Sequence, residues 1–247
     1  MKITGDYHSH SKFSKFNHGK NTICEMAQAA KNKGLKALAV TDHGPNHILY
    51  GILRKNIEKA RNEVDEFNKN NEDDFKLYFG VEANIIGKNG KIDLTEKEIE
   101  KLDILIVGFH RFALTNFTSL FRLNSNNKKL IKKQTDAYIK MVEKYPVDII
   151  SHPNEYIKLD LKRLAKVCAK HDTLIELNPK HFKFTQKDIA DMLKTDVQFI
   201  INSDAHSVER VGDVDYCYEM VKKFGIPKYK IVNLDKTYIP KKFRNKG

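Results

Sequence analysis

The sequence predicts an α/β fold, a parallel barrel of seven strand–helix units with its functional site at the carboxyl ends of the strands. Short apolar segments alternate with amphipathic helical segments along the whole chain. Each apolar segment lacks polar alternation, which is typical of parallel strands buried on both faces. Imidazoles and carboxylates follow six of these strands, whereas an open doubly wound sheet usually binds ligands at one switch point made by few strands.

Each predicted strand is a short apolar segment that ends at a turn or at a polar residue. The predicted strands are residues 2–7, 35–41, 76–81, 103–109, 147–150, 173–177 and 197–201, with 231–234 as a candidate terminal strand. Pro153 prevents the fifth strand from continuing, because proline lacks an amide hydrogen. Residues 84–93 are expected to form a hairpin around Asn89 and Gly90, since this dipeptide favours tight turns.

The predicted helices are marked by capping residues and by apolar residues on one face. Thr22 and Glu25 form a capping box that begins the first helix, which ends at Gly34. A second capping box, at 95–98, begins a short helix. The apolar face of the second helix consists of Leu53, Ile57, Ala60, Val64 and Phe67. The remaining helices are expected from the end of the polar loop 111–127 to about 145, then at 160–171, 186–194 and 214–224.

The composition is that of a globular protein of 247 residues, with 40% hydrophobic and 31% charged residues. We expect one domain over residues 1–247 with a basic tail from about 228, because no linker or repeat divides the chain. No apolar segment reaches the length of a membrane span, and the first twenty residues do not resemble a signal peptide. Cys24, Cys168 and Cys217 lack paired spacing, so we expect reduced thiols and a cytoplasmic location.

The formal net charge of +12 is concentrated in two segments, 111–133 and 228–247. The first contains Arg111, Arg122, Lys128, Lys129, Lys132 and Lys133 and no acidic residue. Basic segments can attract nucleic acid or phosphorylated substrates. For the second segment, a solvated surface and an irregular tail is the favoured interpretation.

The histidines and two acidic residues lie mostly at or just after strand ends. The candidates are His8, His10, His18, His43, Glu82, His110, His152, Asp204 and His206. A single histidine near a strand end is more often hydrogen-bonded or exposed than bound to metal. In a barrel, however, only about one in ten residues occupies such a position, and here six of the ten histidines do. Imidazoles and carboxylates delivered from many strands to one rim predict a site for several zinc, manganese or iron ions. His47, His171 and His181 lie outside this pattern.

The ordered set of strand-end motifs resembles the polymerase and histidinol phosphatase (PHP) family, especially its small stand-alone phosphoesterases. The motifs are His8-x-His10, Thr41-Asp42-His43, Glu82, His110, Ser151-His152-Pro153 and Asn202-Ser203-Asp204-Ala205-His206, and the resemblance spans residues 3 to about 210. It implies a distorted, TIM-like (β/α)7 barrel with three divalent metal ions at its rim.

The resemblance also implies how the nine residues divide among the metals. His8, His10, Glu82 and Asp204 would hold one ion, Glu82 would bridge to a second held by His110 and His152, and His18, His43 and His206 would hold a third. The chain departs from the family in the longer spacing between His10 and His18. Asp6 and Asp42 flank candidate ligands and either orient them or make ordinary strand-end hydrogen bonds. Glu176 and Asn178 face the same rim, without an assigned role.

The leading functional prediction is hydrolysis of a phosphomonoester, a small phosphorylated substrate, by metal-bound hydroxide. Asp204 and His206 are the nearest candidates to assist this water, and Arg111 or Arg54 could clamp the phosphate. One alternative is a 3'-5' exonuclease or phosphodiesterase acting on nucleic-acid ends along residues 111–133, and another is a histidinol phosphatase. A non-catalytic binding module is a further alternative, but a decayed site would have lost some of the nine ligands. No Gly-rich phosphate loop or nucleophile-elbow serine is present.

Overall fold

The computed structural model, which describes residues 1–114 and 125–244, contains seven parallel strands in chain order around a barrel-like sheet. The strands are β1 Gly5–Asp6, β2 Ala37–Val40, β3 Lys76–Asn84, β4 Ile104–Gly108, β5 Ile149–Ile150, β6 Leu174–Leu177 and β7 Phe199–Ile201. Every neighbouring pair is parallel. The predicted parallel α/β barrel is therefore confirmed. β3 runs three residues further than predicted, so that Glu82 lies within it.

The strands bury both faces, as their apolar composition requires. In β2, Ala37 and Ala39 belong to a compact inner cluster, whereas Leu38 and Val40 belong to the larger cluster packed under the helices. The inner cluster also contains Tyr7, Tyr78, Ile104, Ile106, Ile149, Leu174, Ile200, Val232 and Tyr238. Successive side chains of a strand point to opposite faces, so the inner cluster fills the barrel and the outer cluster joins the sheet to the helices.

The helices surround the sheet, and several begin at the predicted caps. They are α1 Ile23–Asn32, α2 Arg54–Asn70, α3 Glu96–Glu100, α4 Lys128–Lys144, α5 Leu161–Lys170, α6 Gln186–Leu193, α7 Asp215–Phe224 and α8 Lys241–Arg244. Both capping boxes form, at Thr22 with Glu25 and at Thr95 with Glu98. Leu53 does not belong to the buried face of α2, because it is the residue before the helix and is 42% exposed.

The carboxyl-terminal segment closes the gap between β7 and β1. The Asn233 side chain donates to the backbone oxygens of Gly5 (2.9 Å) and Ile201 (2.6 Å), and its Oδ1 accepts from the Ile201 amide (3.1 Å). Residues 231–234 make isolated bridges to Phe199 and Ile3 and form no regular strand. The predicted terminal strand is therefore wrong, because the backbone bonds only at isolated points, from Val232 to Phe199 and from Thr4 to Asn233, and the Asn233 side chain makes the other contacts.

Residues 231–244 also correct the expectation of a solvated tail. Tyr238 is buried inside the barrel, where it donates to Asp148 (2.9 Å) and accepts a hydrogen bond from Tyr7 (2.7 Å) at its carbonyl oxygen. Lys241 donates to the His171 carbonyl oxygen at 2.6 Å. The lysines of this segment thus flank apolar residues, Val232 and Tyr238, that are buried inside the barrel. The high local charge of the sequence gave no indication of this burial.

The loop after β3 is a hairpin, as predicted, with an antiparallel bridge between Ile85 and Ile92. Gly90 has a φ of +76° and lies against the backbone of α4, where a side chain would not fit. The three cysteines are free thiols. Within the described ranges, no helix is long and apolar enough to cross a membrane. Arg122 of the basic segment lies outside these ranges.

Candidate metal centre

The predicted site residues meet at one end of the barrel, beside a cavity of about 550 Å³. Their strands are parallel, so the loops after the strands all emerge at this end. The nine candidates lie together in three groups, and Glu82 of β3 belongs to two of them. Glu82 is completely buried.

The first group contains His8, His10, Glu82 and Asp204. Nε2 of His8 lies 3.3 Å from Oε2 of Glu82 and 3.6 Å from Oδ1 of Asp204. Nε2 of His10 lies 3.2 Å from the His8 nitrogen and 3.1 Å from Oδ1 of Asp204. These four donor atoms therefore surround one small volume, as the ligands of a metal ion do. His8, His10 and Glu82 also lie close enough together to share an ion.

The second group surrounds the other oxygen of Glu82. Oε1 lies 2.8 Å from Nε2 of His152 and 3.2 Å from Nε2 of His110. The two oxygens of this carboxylate thus face different sets of imidazoles. A carboxylate with this arrangement is able to bridge two cations.

The third group joins His18, His43 and His206. Nε2 of His18 lies 3.2 Å from Nε2 of His43 and 2.7 Å from Nε2 of His206. The ring of Tyr50 stacks on His18 with 3.8 Å between centroids. The loop that carries His18 is held by Asp42, which accepts from the hydroxyls of Ser11 (2.7 Å) and Ser14 (2.5 Å). This anchoring brings His18 to the rim despite its long spacing from His10.

Three imidazoles are oriented by acceptors at Nδ1, which leaves Nε2 free to face the site. His8 donates to Oε1 of Glu176 (2.7 Å), His110 donates to Oδ1 of Asn84 (2.7 Å), and His206 donates to the backbone oxygen of Asp204 (2.8 Å). Such partners fix the tautomer of metal-binding histidines. Sequence reasoning placed Glu176 at the rim without a role and did not identify Asn84, because the extension of β3 beyond Glu82 was not predicted.

Asp6 and Asp42 anchor loops by their side chains. Asp6 accepts from the Ser203 hydroxyl (2.5 Å) and from the Gly212 amide (2.9 Å). It therefore ties β1 to the loop that carries Asp204. Burial raises the pKa of both carboxyl groups, that of Asp42 to about 6 despite the hydrogen bonds from Ser14 and Ser11.

The electrostatics of the centre keep the two carboxylates ionised. Burial opposes the charge on Glu82, but His110, His8 and His43 hold its pKa well below the ordinary value. Burial likewise opposes the charge on Asp204, and His8 and His10 lower its pKa well below the usual range. Both groups are therefore available as anionic ligands across ordinary pH.

Most of the candidate imidazoles are held neutral. Burial and the neighbouring His206 lower the pKa of His10 to about 3 and that of His18 to about 4. Burial also lowers the pKa of His43 well below its usual value. His8 and His152 are different, because Glu82, Glu176 and Asp204 outweigh burial and raise the pKa of both rings. Neutral imidazole is the form that binds metal.

The donor set fits divalent metal ions. Oε2 of Glu82, Nδ1 of His10 and Nδ1 of His43 are buried without a hydrogen-bond partner. The Glu82 and His43 atoms lie 2.8 Å apart, yet without the alignment of a hydrogen bond. Nε2 of His18 faces two imidazole nitrogens but can supply at most one proton. Unpaired acceptors in a buried site are costly, and cations shared among them would remove that cost.

Unusual backbone conformations and a glycine allow the candidate ligands to approach one another. His152 and Asp204 have φ values of +26° and +52°, in a region that non-glycine residues rarely adopt. At Gly108, a Cβ atom would lie 2.3 Å from the Ser151 hydroxyl and 3.4 Å from the His110 ring. Only glycine therefore lets the ends of β4 and β5 approach closely enough to bring His110 beside His152.

Two histidines outside the predicted pattern also line the cavity, together with Arg111 and Lys180. His47 stacks on His43 with 4.9 Å between ring centroids, and Nε2 of His181 lies 3.8 Å from Oδ2 of Asp204. Neither follows a strand directly, so strand-end position did not reveal them. Arg54, the other predicted phosphate clamp, does not line this cavity, and its guanidinium is paired with Glu98.

Comparison with known proteins agrees with this geometry. The model of the PHP domain matches residues 6–190, which contain seven of the nine candidate ligands. The chain belongs to the PHP domain family. Its relatives include proteins named "Probable phosphatase" from Shewanella loihica, 29% identical over 94% of this chain and 90% of that protein, and from Thermoanaerobacter sp., 30% identical over 100% and 98%. Asp204 and His206 of this PHP protein lie beyond the matched residues.

Solved structures share the fold of this PHP protein. The histidinol phosphate phosphatase of Lactococcus lactis, determined with zinc, L-histidinol and phosphate, has a TM-score of 0.59 at 16% identity, covering 92% of this chain and 95% of that chain. A histidinol phosphatase structure from Listeria monocytogenes has a TM-score of 0.58 at 12% identity, covering 84% and 97%. These likenesses establish the TIM-like barrel architecture.

Proposed function

We propose that this protein is a phosphatase that hydrolyses small phosphomonoesters with two or three divalent metal ions. The observation that carries the proposal is the position of Glu82. One of its oxygens faces His8, and the other lies against His110 and His152. Membership of the PHP family and relatives named as phosphatases support the same reaction class.

The three groups of side chains would hold the ions as the family resemblance implies. His8, His10, Glu82 and Asp204 would hold one, Glu82, His110 and His152 a second, and His18, His43 and His206 a third. Divalent ions held there would supply hydroxide near neutral pH and neutralise phosphate oxygens. Zinc, manganese and iron all suit this mixture of imidazole and carboxylate.

The other residues of the site would position the substrate and move protons. Lys180 and Arg111 place positive charge on the cavity wall, where they would attract the phosphate group. Lys180 is held by a 2.9 Å hydrogen bond from Nζ to the backbone oxygen of Asp204. Of the two predicted candidates, Oδ2 of Asp204 could take a proton from the attacking water, whereas both nitrogens of His206 would be occupied, Nδ1 by its hydrogen bond to the Asp204 backbone oxygen and Nε2 by an ion.

A substrate panel tests this proposal. Protein loaded with manganese or zinc should release phosphate from several small phosphomonoesters, with histidinol phosphate among them, and should leave a phosphodiester and a single-stranded oligonucleotide largely intact. Matched protein treated with chelator should be inactive and should recover when metal is restored. Absence of phosphate release from every monoester, in protein shown to contain metal, would reject the phosphatase assignment.

A further inference from the structure

His47 forms part of the cavity wall beside the centre, although none of the three ligand groups includes it. It lies in the loop between β2 and α2 and is only 3% exposed. Its ring centroid is 4.9 Å from that of His43 and 5.6 Å from that of His110. A substrate that reaches these two histidines therefore passes next to His47.

The backbone around His47 is held rigidly. Its amide donates to the Gly44 carbonyl oxygen and its own carbonyl oxygen accepts from the Gly51 amide, each at 3.0 Å. On either side, Ile48 donates to Phe112 (2.9 Å), and Leu114 donates to Asn46 (2.8 Å). These bonds fasten the loop to the segment after β4. The ring of His47 is consequently positioned before any ligand arrives, which lowers the entropic cost of using it.

The tautomer of His47 is determined by a backbone contact. The amide of Tyr50 donates to Nδ1 of His47 at 3.0 Å, so Nδ1 carries a lone pair. The proton of the neutral ring must then reside on Nε2. Nε2 has no hydrogen-bond partner within residues 1–114 and 125–244, and it is not among the enclosed unpartnered atoms. This N–H group is therefore available to a ligand in the cavity.

We propose that His47 donates a hydrogen bond from Nε2 to a phosphoryl oxygen of the substrate. The proposal rests on the phosphatase function described above and adds a phosphate-binding residue to it. A neutral donor suits this position, because it adds no positive charge beside His43 and His110, which would hold cations. Hydrogen bonds to charged acceptors are stronger than those between neutral groups, so loss of this donor should weaken phosphate binding measurably.

Two amide substitutions separate the cavity donor from the structural contact. In His47→Asn, the side-chain oxygen can still accept from the Tyr50 amide, but the side chain is too short to place a donor at Nε2. In His47→Gln, the longer side chain returns an N–H group near Nε2. The matched control is His171→Asn, at the exposed end of α5. The probe is inorganic phosphate, titrated into metal-loaded protein by calorimetry and used as a competitive inhibitor of monoester hydrolysis.

We expect His47→Asn to weaken phosphate binding by about 10-fold or more, with unchanged metal content and thermal stability, while His47→Gln recovers part of the loss. Equal phosphate affinity in parent and His47→Asn protein would overturn the proposal and leave the phosphatase function intact. Loss of one metal equivalent in both variants would overturn it as well, because His47 would then be a metal ligand. If the metal-loaded parent binds no phosphate and cleaves no monoester, the phosphatase function itself fails, and this role for His47 fails with it.

Discussion

The imidazole of His8 donates from Nδ1 to Oε1 of Glu176 over 2.7 Å, and both side chains are completely buried. This contact turns Nε2 of His8 toward Glu82 and Asp204. Glu176 also accepts from the backbone amide of His152 at 2.9 Å. One carboxylate on β6 therefore orients residues that belong to two of the three ligand groups.

The first prediction follows from this contact. Glu176→Gln should lower metal affinity by roughly 10- to 100-fold, because an amide orients the His8 ring less strongly and stabilises it less as a ligand. Competition with a chromophoric chelator measures the affinity directly. Glu209→Gln, on the exposed rim of the turn after β7, is the matched control and should bind metal like the parent. Equal affinity in the Glu176 variant would show that the His8–Glu176 contact has no influence on metal binding.

The second prediction concerns Glu82. Elemental analysis of parent protein purified without chelator should find two or three transition-metal ions per chain, and Glu82→Gln should lose two of them together, with most of the activity. The reason is that both oxygens of this carboxylate face imidazoles. His171→Gln is the control, because His171 lies at the exposed end of α5 and does not line the cavity. Less than one equivalent in the parent, or full activity in Glu82→Gln, would contradict the assignment.

A third prediction addresses closure of the barrel. Asn233→Ala should destabilise the protein by about 2–4 kcal/mol, because it leaves buried backbone groups of Gly5 and Ile201 without partners. Urea unfolding measures the loss. Asn71→Ala, near the exposed end of α2, should cost less, because the groups it contacts are less buried. A change below about 0.5 kcal/mol for Asn233→Ala would show that the segment does not stabilise closure.

The fourth prediction concerns pH. Burial raises the pKa of Asp148 above its ordinary value of 3.8, although the Lys241 and Leu105 amides lower it. Between pH 3.8 and the raised pKa, the folded chain binds more protons than the unfolded chain, so this group makes stability fall as pH rises. Asp148→Asn should remove that component and give a less negative slope. Urea unfolding of metal-free parent and variant from pH 4 to 6 provides the comparison, and identical slopes would contradict the prediction.

The sequence predicted the site residues that lie at strand ends, but not those whose role depends on distant contacts. Candidate ligands such as His110 and His152 directly follow apolar strands, and parallel strands bring such positions together. The role of Asn84 was not predictable in this way, because it depends on β3 continuing past Glu82 to pair with Gly108. Asn233 closes the barrel through a hydrogen bond to Gly5, which is more than 200 residues away in the sequence. No local sequence pattern predicts such a contact.

The charge pattern of the carboxyl-terminal segment did not predict its burial. The lysines beyond residue 228 suggest a solvated tail, yet Tyr238 is buried and Asp148 lies beneath it. The net charge depends on the charged ends of the side chains, whereas the burial of a segment depends on the apolar residues between the charged ones. At the start of α4, Leu130 and Ile131 lie between the lysines but are only half-buried, and the four lysines there are exposed.

The last prediction separates a monoesterase from a nuclease. Contact with several backbone phosphates releases counterions, so a nuclease that uses residues 111–133 should weaken steeply with salt, whereas a monoesterase makes one phosphate contact and should respond weakly. We expect the weak response. Replacing Lys128, Lys129, Lys132 and Lys133 together by glutamine should leave monoester turnover within a few fold, because these lysines lie on α4 and none of them lines the cavity. The measurement is kcat/KM on a monoester and on a single-stranded oligonucleotide between 50 and 500 mM salt. Efficient, salt-sensitive cleavage of oligonucleotide ends that disappears in the quadruple variant would make the nuclease the better assignment.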